Sequence, residues 1–384
     1  MHLSTPNGHG PRTIDYDLHG LAGIRLIDPS PGDAAAVARQ LGPIQAPLTR
    51  EPDIVIRFVD RLSTSSRVRY LGVDEAGFTD DAFLVLRSKH KARARVQIAF
   101  AQIGRQCEIV CETGLPAVPL LIPILNLTVL SKGAVPLHAS AFTYNGVGVL
   151  TTGWSKGGKT ETLLAFMDRG AEYIGDEWVY ITADGQQMYG IPEPIRVWDW
   201  HLQDLPQYRA LVGRGDRARL QAIKMVQSVD RALPRVAGNN SLPARALGRV
   251  MPVLKRQLFV DMHPRTLFGA GFRTLAGTLQ KVLFVVSHET PDVTVEPIDP
   301  QEIARRMVFS LQHERLDFMA YYLKFRFAFP EAANDLIERA EEIQRTALAR
   351  VLAGKEAYAV YHPYPVPIPA LFDAIRPFVD HGTR

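Results

Sequence analysis

Residues 153–160 read Gly153-Trp154-Ser155-Lys156-Gly157-Gly158-Lys159-Thr160. The run satisfies G-x-x-x-x-G-K-[ST] at every fixed position. Glycines let a backbone turn so tightly that successive N–H groups point inward, toward the oxygens of an anion. A helix starting at the end of such a loop adds its N-terminal dipole. In that arrangement Lys159 reaches the β- and γ-phosphates of a nucleoside triphosphate as a point charge, and Thr160 offers its hydroxyl to Mg²⁺. Short motifs have chance matches, so the flanks decide. Residues 147–152 are apolar on both faces, as a central strand is. TETLLAFMDRG follows with a helical pattern that ends at a C-cap candidate, Gly170. Strand, glycine-rich loop and helix stand in the order the chemistry needs. The sequence therefore predicts a site for ATP and Mg²⁺ built on residues 153–160.

Working outward, VPLHASAFTYNGVGVLTTG reads as two strands joined at Tyr144-Asn145-Gly146, since Asn-Gly favours the tightest hairpin turns. His138 stands ahead of that turn. Downstream, AEYIGDEWVYI reads as one further strand and carries the acidic pair Asp176-Glu177. Strict alternation along that strand turns the Glu177 side chain away from that of Asp176. A carboxylate ending the strand after a phosphate loop is placed to take part in phosphoryl chemistry. A histidine between Leu137 and Ala139, by itself, is more often a satisfied core residue.

The stretch LHASAFTYNGVGVLTTGWSKGGKTETLLAFMDRGAEYIGDEWVYI resembles the HPr kinase/phosphorylase family and its wider group of HPr-kinase-like enzymes. The marks are His138 before the hairpin, the GVGVL strand, GKTET after the loop, the helix ending Arg169-Gly170, and the acidic pair at the next strand. The resemblance covers about residues 132–182. It implies a kinase acting on a hydroxyl, with Lys159 on the phosphates, Thr160 on Mg²⁺, Asp176 accepting the proton of the attacking hydroxyl, and His138 close to that carboxylate. Where the family has two aspartates this chain has Asp176-Glu177, which makes Glu177 a metal-ligand candidate. The family's metal-binding glutamate followed by Arg-Gly is matched by Glu193-Pro194-Ile195-Arg196, which adds Glu193 as a metal ligand and Arg196 as a catalytic residue. HPr itself is not the expected acceptor, because the family's later arginine-bearing motif that contacts substrate has no match here and residues 199–256 have no clear family counterpart.

The rest of the chain sets limits. Of 384 residues, 46% are hydrophobic, enough for a sizeable core, and a net charge of +4 is only a weak pointer to anionic partners. Cys107 and Cys111 fit neither a C-x-x-C nor a zinc pattern and read as reduced thiols in a strand. Residues 1–12 are polar, with no apolar segment of a signal peptide. The apolar run 115–130 is broken by Pro116, Pro119 and Pro123 and reads as a buried helix, so no membrane span and a cytoplasmic location are expected.

The expected fold is α/β: a P-loop-containing core with a central, mostly parallel sheet, an N-terminal α/β module and a helical C-terminal part. The divisions are a flexible N-terminus at 1–12, the N-terminal module at 13–114 and the core at 115–198. A basic helical insertion at 199–256 follows, with a loop at Gly238-Asn239-Asn240-Ser241, then return strands of the core at 257–299 and the helical part at 300–384. Strands in the first module are expected at 23–27, 53–59, 83–86 and 106–112, with a helix after Asp33. The module carries no catalytic motif and reads as a substrate-presenting or oligomerisation unit, so a homo-oligomer is among the expected partners. The basic stretch is a solvated face or a platform for an anionic substrate; no recognition motif or aromatic interleaving favours nucleic acid.

These features favour an ATP- and Mg²⁺-dependent kinase whose acceptor is a serine or threonine hydroxyl of a peptide or protein, or a small molecule. The alternative is an ATPase or GTPase switch that passes no phosphoryl group to an acceptor. A phosphoenolpyruvate carboxykinase-like enzyme ranks lower, for want of its metal-binding His and Lys pattern. A binding module without nucleotide ranks lower too, because it has no use for the Lys159-Thr160 pair.

Overall fold

The structure, a computed structural model, describes residues 12–42, 44–73, 75–87, 93–237 and 242–380, with side chains for all of these except 231–248. Expectations that fall on residues 1–11 and on the Gly238–Ser241 turn lie outside the described residues. The chain is mixed α/β, 38% helix and 29% strand, with mixed sheets.

Two large sheets organise it. The first runs Thr13–Leu18, Ala22–Ile27, Ile54–Val59, Cys107–Glu112, Arg93–Ile98, Phe83–Arg87, Ala76–Phe78, Arg69–Leu71 in spatial order. Its strands show why the sequence chose them. Ile54–Val59 alternates buried and half-buried side chains, placing Ile54, Ile56 and Phe58 on the core face. The helix Pro31–Leu41 starts where Ser30 and Asp33 form a reciprocal capping box. Cys107 and Cys111 are free and buried on one face of their strand, and burial pushes both thiols up to about 12.

The helix Leu121–Ser131 is apolar nearly all round and is buried beside the first sheet. Its Asn126 accepts a hydrogen bond from the hydroxyl of Tyr180, on the second sheet, at 2.9 Å. That second sheet is ordered Ala276–Thr278, Gln187–Gly190, Trp178–Ile181, Val135–Tyr144, Val147–Gly153, Lys281–Ser287, Glu356–His362, Thr294–Pro297, with Glu172–Gly175 also paired to Val135–Tyr144. The hairpin closes at Asn145 and Gly146, with φ of 49° and 79°, the left-handed pair that Asn-Gly supplies.

Two expectations about this sheet need correcting. It is not mostly parallel: only Val147–Gly153, Lys281–Ser287 and Glu356–His362 run parallel to one another, and the other pairings are antiparallel. The hairpin forces that, because a two-residue turn can join only antiparallel strands. Phe259–Met262 does not return to the sheet but forms a two-stranded ribbon with Ile195–Trp198. The segment after Pro300 is mostly helical, as expected, and also supplies the strand Glu356–His362.

The long helix Pro300–Ala328 binds the two sheets together. Its first half buries Ile303, Met307, Val308 and Leu311 against the second sheet, and its second half buries Phe318, Tyr322 and Phe325 against the first. Phe100 meets Phe318 at 5.6 Å and Phe325 at 5.3 Å between ring centroids. The basic segment forms two helices, Arg214–Ala237 and Leu242–Lys255, anchored through Leu220, Ile223 and Met251. Among the described residues, no helix is long and apolar enough to cross a membrane.

Candidate functional site

The strand Val147–Gly153 is buried along its length, and the helix Lys159–Met167 starts at the far end of the loop that follows it. Both flanks of the glycine-rich motif are therefore as expected. At Gly158 the backbone has φ of 105°, and a Cβ there would stand 2.2 Å from Nε2 of His362, so only glycine fits. Lys156 holds φ of 62°, a strained value for a residue with a side chain. Lys159 is folded onto its own loop: its ammonium donates to the Trp154 carbonyl at 2.9 Å and to that of Gly153 at 3.4 Å. Burial pulls its pKa down, opposed by the charges of Glu177, Asp176 and Glu314.

Asp176 and Glu177 do not lie within one strand. Glu172–Gly175 ends just before them and Trp178–Ile181 begins just after, with Glu177 at φ of 68°. Alternation therefore does not apply, and both carboxylates reach the same edge of the sheet. The Thr160 hydroxyl donates to Asp176 Oδ2 at 3.1 Å, with Oδ1 at 3.4 Å. Asp176 is 3% exposed. Burial and then the neighbouring Glu177 push its pKa up to about 7, against the pull of Thr160, Lys159 and His138.

His138 faces Trp178 across the strand pair, which brings its ring to Glu177. Nε2 lies 3.0 Å from Glu177 Oε2. Nδ1 lies 2.9 Å from Glu314 Oε1, an ion-pair contact rather than an aligned hydrogen bond. Burial lowers the imidazole pKa, but the two carboxylates outweigh it and the net shift is upward. Glu177 is held below its usual range, first by the hydrogen bond from His138. His138, Lys159, Thr160, Asp176 and Glu177 thus meet at one sheet edge.

Two candidates come from later segments of the chain. Arg196 is bound to Asp261 at 3.2 Å and lies over the Phe259 ring at 4.1 Å, in the two-stranded ribbon, although its charge still helps to lower the Glu177 pKa. Glu193 lies between Gln187–Gly190 and Ile195–Trp198; burial pushes the Tyr173 and Tyr180 hydroxyls up in pKa, and the Glu193 charge adds to it. Among the described residues, no three or more His, Cys, Asp or Glu side chains are grouped so as to hold a metal ion.

Sequence reasoning missed three contributors. Glu314 comes from the long helix, and no motif marks it. His362, at the end of Glu356–His362, places Nε2 2.9 Å from the Gly157 carbonyl and so braces the loop. Glu161 is buried and accepts from His201 Nε2 at 3.1 Å, while His201 Nδ1 accepts from the Trp198 N–H. Burial raises the Glu161 pKa, and the His201 bond outweighs it, leaving the carboxylate below its usual range.

Fold and site define a mixed α/β protein with a glycine-rich loop at a sheet edge, beside a buried carboxylate and a histidine held between two glutamates. The chain matches no protein-family model and no curated protein.

Proposed function

We propose that the chain is an ATP- and Mg²⁺-dependent phosphotransferase of HPr-kinase-like character, with a P-loop core, acting on a hydroxyl acceptor. The acceptor is a serine or threonine of a peptide or protein, or a small molecule. The observation that carries the reading is the contact between Thr160 and Asp176 at 3.1 Å, beside the loop that holds Lys159. It supports a site where one hydroxyl and one buried carboxylate adjoin an anion cradle.

The residues fit Mg²⁺. Such an ion takes few protein ligands and fills its shell with phosphate oxygens and water, so the Thr160 hydroxyl suffices beside Asp176 without a three-residue cluster. Bound there, Mg²⁺ would neutralise charge on the β- and γ-phosphates. The side chains do the rest. Lys159 leaves its loop carbonyls for the phosphate oxygens, where its charge is better satisfied. Asp176, with a pKa near neutrality, accepts the proton of the attacking hydroxyl. His138, held through its two ring nitrogens by Glu177 and Glu314, stands beside that carboxylate and is among the groups that pull its pKa down. Arg196 adds its charge at Glu177, and Glu193 remains a metal-ligand candidate. A cytoplasmic setting, where ATP is abundant, goes with this reading.

The test is the Asp176→Asn variant. Transfer to an acceptor is expected to fall about 10²-fold or more while nucleotide binding persists. Unchanged transfer would remove Asp176 from its role. Phosphate release with no labelled acceptor would favour the nucleotide-switch alternative.

A further inference from the structure

The three parallel strands end at one edge of the sheet, at Gly153, Ser287 and His362. Ligands of α/β sheets gather outside such carboxyl ends. Asp176 and His138 stand on one side of Gly153, across Val135–Tyr144. On the other side, toward Lys281–Ser287, lies a cavity of about 390 Å³ between the loop and the long helix, within the size range of small-molecule pockets. Its floor is apolar, with Phe284, Val286 and Met307 among the lining residues. Trp154 lines it too, 52% exposed, with one face of its ring stacked on His313 of the long helix at 5.1 Å between centroids. Ser155, Lys156, Ser287, Arg306 and Ser310 supply its polar side chains.

If the reacting phosphoryl group faces Asp176, the rest of the nucleotide leaves the loop on the opposite side. The long helix runs past both: Met307 and Ser310 line the cavity, and Glu314, on the same helical stripe, touches His138. A flat aromatic ligand is what an apolar slot with an exposed indole at its mouth accepts best.

We propose that this cavity takes the nucleoside half of the triphosphate, a purine base lodged between Trp154 and the Met307 face of the long helix. The proposal rests on the reading that residues 153–160 hold the triphosphate. It makes base recognition a property of the loop shoulder and the long helix, remote in sequence from each other.

The experiment is calorimetric titration of the full chain with Mg-ATP, Mg-GTP and Mg-tripolyphosphate, on the wild type and on Ser287→Trp and Lys159→Ala. Ser287 is exposed at the cavity edge, so an indole there fills the slot without entering the core. The purine nucleotides are expected to bind the wild type about tenfold or more tighter than tripolyphosphate, from stacking. Ser287→Trp should erase that advantage and leave tripolyphosphate binding as it was. Equal affinity of nucleotide and tripolyphosphate for the wild type, or an advantage that survives in a folded Ser287→Trp, overturns the cavity assignment and leaves the loop reading standing. If neither ligand binds, or Lys159→Ala changes neither affinity, the loop reading fails and the cavity assignment fails with it. If Ser287→Trp does not fold, the wild-type comparison decides alone.

Discussion

Replacing Asp176 by Asn should stabilise the protein while disabling it. Asp176 is 3% exposed, and its pKa is pushed from 3.8 to about 7, first by burial and then by Glu177. A folded-state pKa above the unfolded one means that stability is fully present below 3.8 and is lost as pH rises toward 7. Three units at about 1.36 kcal/mol each set a ceiling of about 4 kcal/mol, reached a little above neutrality. At pH 5 only about 1–2 kcal/mol of it has accrued. His138 also has a raised pKa, so its contribution falls as pH rises above 6.5, in the same direction. Glu177 and Glu314 are depressed, and theirs is lost only below 4.5. Both proteins carry these groups, so the difference between wild type and Asp176→Asn reports Asp176 together with its coupling to Glu177, Lys159 and His138. The assay is urea unfolding of both proteins at pH 5 and pH 8, without nucleotide. The variant should be the more stable at both, with a margin larger by about 2–3 kcal/mol at pH 8. A variant no more stable than wild type at pH 8, or a margin that does not depend on pH, would refute the claim that a buried, like-charged carboxylate is held here at a cost to the fold.

Other substitutions read other parts of the account. Gly158→Ala should cost about 2–5 kcal/mol, combining left-handed backbone strain with the 2.2 Å approach to His362, and a thermal melt would reveal it. Glu314→Gln keeps the shape but removes one of the two charges that raise His138, so the imidazole should titrate at lower pH by NMR. In the same variant kcat should fall with little change in nucleotide KM. Phe100→Ala removes a ring packed between the first sheet and the long helix and should cost about 3–5 kcal/mol in denaturant unfolding.

What the sequence disclosed was local. The Asn145-Gly146 turn, the buried strand after it and the loop–helix junction at Lys159 each depend on residues a few positions apart, and each is found in place. Strand periodicity likewise located Ile54–Val59 and Cys107–Glu112. What escaped depends on distance along the chain. Glu314 reaches His138 only because the long helix crosses the sheet edge, and nothing in its own neighbourhood announces that. His362 braces Gly157 because Glu356–His362 docks beside Lys281–Ser287, a pairing invisible to periodicity. Glu177 was misjudged for a local reason: alternation fails where a residue adopts a left-handed backbone. The spacing of Glu193 and Arg196 likewise says nothing of Asp261, far along the chain, which bonds Arg196 across the ribbon.

The most direct test of the central claim is incubation with γ-labelled ATP and Mg²⁺, offering cell extract and candidate peptides as acceptors, beside a Lys159→Ala control. The account predicts label on an acceptor hydroxyl, absent in the control. Label appearing only as inorganic phosphate, or on an acceptor equally in the control, would contradict it.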